Sequence, residues 1–441
     1  MATNTSATDY SSAGTQPQMD RRLLEAATSG DPRRVKELVS RNPSIILGTT
    51  PQGNSCLHIS SMHGHKEFCE DVLEIEESLL LNANFESFLS KLNLQGETPL
   101  VTAVTHGHAF VASFLVGRCH RLGLRQVILQ QDKTGCNALH HAIHSGHKEL
   151  ALELIAAEPA LSRDVNKFKE SPLFLAVMRD FCDVVEKLVR ITDSAHGGEF
   201  GLNALHGAVR NDNPVIARQI METRPELARE GNTDLVTPIR MAVRYGKMRV
   251  VRELLRHDFS LGYEMHKNIF PLLNCAAAGG QVNVAQEILR HCPDAPYREI
   301  GGETRTCLHI AVLNNHIEFV KFILSTPYLQ KLVNMQDSNR KTALHYAVQG
   351  CYPKIIAALL SHEDIDRAVL DNSAKPTAWE LWINTYCAKS INWNNVWMLK
   401  LKGRPQNTMC LQNIHGDVKQ GAINESSGVA KSPCPLLSFC L

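Results

Sequence analysis

The chain has no apolar stretch near the roughly eighteen residues of a membrane span; Ile355-Ile356-Ala357-Ala358-Leu359-Leu360 is among its longest apolar runs. Residues 1–20, rich in Ser, Thr and Gln, lack the apolar segment of a secretory signal. An excess of either charge is missing too. Lys+Arg 46 against Asp+Glu 45 leave +1, without the basic excess or stripe expected of a nucleic-acid binder. The thirteen cysteines contain no C-x-x-C pair. An odd number without regular spacing excludes a secreted disulfide framework and reads as reduced thiols packed as small apolar residues. Also absent are the G-x-x-x-x-G-K-[ST], G-x-S-x-G, H-E-x-x-H and kinase motifs. We therefore expect a soluble, cytoplasmic chain, neither enzyme nor nucleic-acid binder, with no cofactor and no membrane span.

What is present is a phrase that recurs. It runs as a small polar residue, Leu-His or a relative, Ala, then a Gly-His turn: Ala138-Leu139-His140 with Ala142 and Gly146-His147, or Thr306-Cys307-Leu308-His309 with Ala311. Thr98-Pro99-Leu100, Ser171-Pro172-Leu173 and Thr237-Pro238-Ile239 open other copies. The anchors Leu57, Leu100, Leu139, Leu173, Leu205, Ile239, Leu273, Leu308 and Leu344 lie 43, 39, 34, 32, 34, 34, 35 and 36 residues apart. Leu23 fits one period upstream and Trp379 one period downstream, so we expect about eleven units, counting degenerate caps. The two long spacings put surplus residues around Glu76–Lys91 and Gly117–Gln130, which we read as extended second helices or finger loops.

The phrase and its period resemble the ankyrin repeat, with its T-P-L-H-x-A signature and spacing of about 33 residues. That resemblance implies an all-α solenoid of helix-turn-helix pairs with β-hairpin finger loops. The residues support the pairs independently. A hydroxyl with Pro caps a short first helix, Ala-rich segments such as Asn274–Ala278 allow close approach, and Gly ends the helix in a left-handed conformation. The second helix carries larger apolar residues, as in Val250-Val251 with Leu254-Leu255. One such pair cannot cover its own apolar face, so neighbours must stack on it.

We expect three segments: 1–19 disordered, 20–402 the repeat domain and 403–441 a disordered polar tail. Charge on residues 20–47 (Arg21, Arg22, Glu25, Arg33, Arg34, Lys36) suits an exposed end cap. Trp379, Trp382, Trp393 and Trp397, all the tryptophans of the chain, suit a packed cap at the other end. Twenty histidines invite a metal hypothesis, but they cluster at or beside the Leu-His and Gly-His positions, which in ankyrin repeats are hydrogen-bonding sites, and no spacing signals converging ligands. What remains is surface. The family binds partner proteins on a face of fingers and first helices. The candidate tips here are Lys167, Phe168, Lys169, Phe200, Asn232, Lys267, Arg305 and Arg340, each with an ordinary solvated loop as the alternative reading.

The long array, its early insertions and the Asn392–Trp397 stretch also resemble plant ankyrin proteins of the PGG-domain group, which carry a membrane module after the repeats. Here a hydrophilic segment stands from about residue 403. The resemblance implies a scaffold for partner proteins in stress or defence signalling. Its alternative is a peripheral role at the plasma membrane alongside full-length relatives. The residues do not indicate an oligomeric state.

Overall fold

Most units start where a polar side chain caps a short helix. Thr98 and Ser171 accept from the N–H groups of Val101 and Phe174 at 3.3 and 3.1 Å, and Pro99 and Pro172 occupy the first helical position. The computed structural model describes residues 17–80, 88–264, 270–299 and 303–372. Among them ten helix pairs follow one another. The inner helices of units one to ten are Arg21–Ser29, Cys56–His63, Pro99–Thr105, Ala138–His144, Pro172–Met178, Ala204–Arg210, Pro238–Arg244, Leu272–Ala278, Cys307–Leu313 and Ala343–Gln349. Their outer partners begin with Pro32–Arg41 and end with Pro353–Leu360. Inner helices pack on inner helices of the next unit and outer on outer. The all-α repeat stack expected from the sequence is therefore present. An eleventh unit and the tryptophan cap lie outside the described residues.

The core follows the repeat. Ala103, Ala142, Ala176, Ala208, Ala242, Ala276, Ala311 and Ala347 are fully buried, because a larger side chain would hold consecutive inner helices apart. Every anchor from Leu57 to Leu344 is buried as well; removing a leucine side chain from water is worth about 2 kcal/mol. In unit one the apolar Leu23, Ala26, Val35 and Leu38 face inward, while Arg21, Arg33, Arg34 and Lys36 stay exposed. Gln18 bridges to Thr49, and the Met19 N–H donates to the Thr49 carbonyl at 2.8 Å. The surplus residues of units two and three lie in their outer helices, Lys66–Leu80 and Ala109–Arg121, of 15 and 13 residues. A short helix, Arg125–Ile128, follows the second.

Two hydrogen-bond ties run from unit to unit. In the first, a side chain in the opening turn of the inner helix donates to the carbonyl just before the next unit's cap. His58 Nε2 reaches Glu97 O at 3.0 Å, His206 reaches Val236 O at 2.9 Å and His309 reaches Lys341 O at 3.0 Å. Where histidine is missing, Arg240 reaches Phe270 O and Asn274 reaches Arg305 O. In Ser- and Thr-capped units the capping hydroxyl meets the other ring nitrogen at 2.8 Å, so the imidazole is held neutral, with its proton on Nε2. In the second tie, the turn histidine reaches back: His65 to Thr28 O, His108 to Met62 O and His316 to Ala278 O, at 2.9 to 3.0 Å. The His108 ring lies over Gly64, where a Cβ would come within 2.5 Å of it and where φ is +79°. Glycine is required there on both grounds.

Burial makes the first tie pH-sensitive. His58, His140 and His309 are pushed down to about 4, chiefly by loss of solvation. The unfolded chain takes up protons near pH 6.5 while the folded chain does not, so stability falls from about pH 6.5 towards 4. Each such imidazole contributes about 1.4 kcal/mol per pH unit across that window. Thermal melts should show the midpoint dropping between pH 7 and pH 5, before carboxylates begin to titrate. A midpoint flat across that window would contradict neutral buried imidazoles.

Candidate partner-binding surface

The fingers between units are five-residue turns stapled by their first residue. Asn166 Oδ1 accepts from Phe168 N at 2.9 Å and Glu170 N at 3.0 Å. Asp132, Asn232 and Asp337 repeat the pattern. The expected hairpin fingers are present as tight turns, each closed by a backbone bond such as Asn166 N to Glu170 O at 3.0 Å. Among the described residues the only antiparallel bridges are isolated ones, Gly197 with Asn203 and Arg298 with Thr306. The side-chain carboxylate or amide takes N–H groups that a strand ladder would need. Successive tips are joined by backbone bonds instead: Lys167 N to Thr134 O at 2.9 Å, Thr233 N to Phe200 O at 3.0 Å and Ser338 N to Glu303 O at 3.0 Å.

The fourth residue of each tip is left-handed. Gly53, Gly96 and Gly135 fill it in early units, but Lys169, Leu235 and Arg340 do so at φ +66°, +60° and +56°, and Phe200 stands at φ +57° in its own tip. A non-glycine residue in this region costs about 1 to 2 kcal/mol. These fingers hold a strained backbone with an exposed side chain on it, a pairing that recurs at functional sites.

The sequence candidates divide accordingly. Lys167, Phe168, Lys169 and Phe200 sit on adjacent fingers and are exposed, Phe168 to 59% and Phe200 to 67%. Asn232 is half-buried, and its Oδ1 staples its own turn. Arg305 is half-buried over the Tyr346 ring and pairs with Glu303. Arg340 is exposed. Lys267 lies outside the described residues. Leu235, 70% exposed on the next finger, was missed by the sequence reading. Its signal was an apolar residue where other tips carry Gly. Missed too were the inner-helix ends: Arg179, Arg210 and Arg244 are exposed on consecutive units, alongside half-buried Leu175, Met178 and Met241.

Two other features were tested for chemistry. Asp132, Cys136 and His141 bring ligand atoms within 4.8 Å of one another. However, Asp132 already accepts from Thr134 and Cys136 and pairs with His141 Nε2 at 2.9 Å. Asp337 makes the equivalent bond to Tyr346, so the pair reads as a finger-to-helix brace. Burial pushes the thiols of Cys56 and Cys307 up to about 12 and that of Cys119 to about 11, far from nucleophilic character at neutral pH. Cys351 is disulfide-bonded, against the expectation of reduced thiols throughout.

A family model described as ankyrin repeats (3 copies) matches residues 23–126, 120–198 and 272–369. The E3 ubiquitin-protein ligase XBAT33 of Arabidopsis thaliana is 30% identical over 192 residues, 43% of this chain and 33% of that protein. Inversin of Gallus gallus is 31% identical over 249 residues, 53% of this chain and 21% of that protein. The chain thus spans about a third or less of the length of these relatives. The crystal structure of the human ASB11 ankyrin repeat domain aligns with a TM-score of 0.41 at 23% identity, covering 54% of this chain and 98% of that one. Among the described residues no helix is long and apolar enough to cross a membrane.

The strained tips carry a stability consequence. Leu235→Gly and Lys169→Gly should each leave the thermal midpoint unchanged or raise stability by up to about 1 kcal/mol, as left-handed strain is relieved against the added freedom of the unfolded chain. A marked loss of stability would mean that these side chains are held by packing instead of being displayed.

Proposed function

The chain belongs to the ankyrin-repeat family, and from that premise we propose that it is a non-enzymatic scaffold binding partner proteins on its fingers and inner helices. The observation that carries this reading is the run of exposed Phe168, Phe200 and Leu235 on three consecutive fingers, two of them in left-handed backbone. Isolated exposed apolar residues need no explanation, but one on each of three successive fingers, two of them on a strained backbone, does. Aromatic and arginine side chains are also the types that dominate interface energetics.

We place the chain in the cytoplasm and in plant stress or defence signalling; the Arabidopsis thaliana relative supports only the plant part of that reading. The ligase activity named for that relative is not carried over, since two thirds of it lies beyond the matched stretch. Of the segments expected to be disordered, 1–16 and 403–441 lie outside the described residues, whereas Gln18 and Met19 pair with Thr49; indirect association with the plasma membrane is the alternative to the cytoplasmic reading. Proximity labelling with the tagged full chain tests the scaffold. Partners recovered by the native chain should be lost by a Phe168→Ala, Phe200→Ala, Arg340→Ala variant that melts normally. Their full retention would put the interface elsewhere. Membrane fractionation separates the two locations.

A further inference from the structure

Two rows run along the same three units. On the finger side stand Phe168, Phe200 and Leu235; on the turn side stand Arg179, Arg210 and Arg244. Arg210 and Arg244 hold the same helix position, and Arg179 stands one residue on in unit five. The corresponding residues elsewhere include no lysine or arginine: Thr28, Met62, Thr105, His144, Ala278, Leu313 and Gln349. Exposed guanidinium groups and apolar tips therefore coincide in units five to seven, whereas the exposed Leu94 tip has Thr105 at its helix end, in a chain whose net charge is only +1.

These cations lack carboxylates. Arg210 and Arg244 form no ion pair among the described residues, and Arg179 reaches only the His144 carbonyl, at 2.5 Å. Outer-helix arginines behave differently: Arg218 and Arg252 are held by Glu253 and Glu287 of the next unit at 2.7 and 2.9 Å. The acids in the same turns are engaged, Asp180 by Asn213 at 3.1 Å and Asp212 by Arg249 at 3.4 Å. Lys167 and Lys169 add positive charge on the finger side, set against exposed Glu199 and Asp234. Between the rows, half-buried Met178 and Met241 make an apolar floor, the adaptable kind that receives varied side chains.

We propose that units five to seven bind an extended acidic segment of a partner protein, with a carboxylate at every third residue and apolar residues between. The proposal rests on the reading of this face as a protein-docking surface. The spacing argument is geometric. Packed helices lie roughly 8 to 10 Å apart, and a polyproline-II segment rises about 3.1 Å per residue with three residues per turn. Residues i, i+3 and i+6 of such a segment therefore share a face and meet one unit each. A β-strand would turn alternate acids away. The apolar floor and tips favour a peptide over a nucleic-acid backbone. The chain's own residues 403–441 are not the occupant, having Asp417 and Glu425 against Arg404, Lys419 and Lys431.

The test uses the full chain and a labelled peptide of repeated Glu-Leu-Pro triplets, read by fluorescence anisotropy. Controls are Lys-Leu-Pro triplets, a peptide of the same composition with its Glu residues contiguous, and a single-stranded oligonucleotide. The Glu triplets should bind more tightly than every control. The affinity should fall with salt and drop roughly tenfold or more in an Arg210→Glu, Arg244→Glu variant. Equal binding of the contiguous peptide would overturn the spacing, and equal binding of the Lys triplets or no binding of either would overturn the acidic segment. Tighter oligonucleotide binding through the same arginines would replace the proposal with a nucleic-acid site. Labelled partners retained by the double-arginine variant but lost by the Phe168→Ala, Phe200→Ala, Arg340→Ala variant would refute the acidic segment alone. Partners retained by both would remove the docking reading as well.

Discussion

The bond from the opening turn of one inner helix to the carbonyl before the next cap is the constraint on which the rest of the stack depends. It takes a side chain that can cross from helix to finger, and a carbonyl that accepts it beside the backbone N–H closing its own turn, as Glu97 O does from Asn93 and Val236 O from Asn232. Histidine suits it because one ring nitrogen meets the cap of its own helix while the other donates onward. Arg240 and Asn274 show that the donor matters more than the ring. A net hydrogen bond is worth about 0.5 to 1.5 kcal/mol, so each tie helps fix where the following unit sits.

Much of this architecture was legible from periodicity. The anchors, caps and turn glycines each have one physical job that few residue types can do, so they recur in register. The Leu-His histidines were correctly read as hydrogen-bonding, but their substitutes were not, since nothing in the sequence marks Arg240 as standing in for an imidazole. The staple inside each finger was not legible for a related reason. Asn93, Asp132 and Asn166 look like ordinary turn residues, and only the structure reveals that each Oδ1 takes two backbone N–H groups.

The candidate surface was legible only in part. Phe168 and Phe200 stand out between polar neighbours, so composition found them. Asn232 was chosen only as a finger-tip residue, but its Oδ1 is taken up by the N–H groups of Asp234 and Val236 in its own turn. Arg179, Arg210 and Arg244 fall at the ends of helices at unequal sequence spacings, and their alignment exists only once the units are stacked. Charge is divided by face in a way that the balanced total hides. Outer Arg218 and Arg252 brace one unit on the next, while Arg210 and Arg244 at inner-helix ends form no ion pair among the described residues.

The account stands or falls on whether the inner-helix donor acts on the unit that follows it. Amide hydrogen exchange on a His206→Leu variant of the full chain tests this directly. Exchange should quicken in the finger at 232–236 and the helix Pro238–Arg244, while Asn137 to His144 keeps its protection. Equal quickening on both sides, or none, would contradict a tie that runs from the donor's unit to the one that follows it.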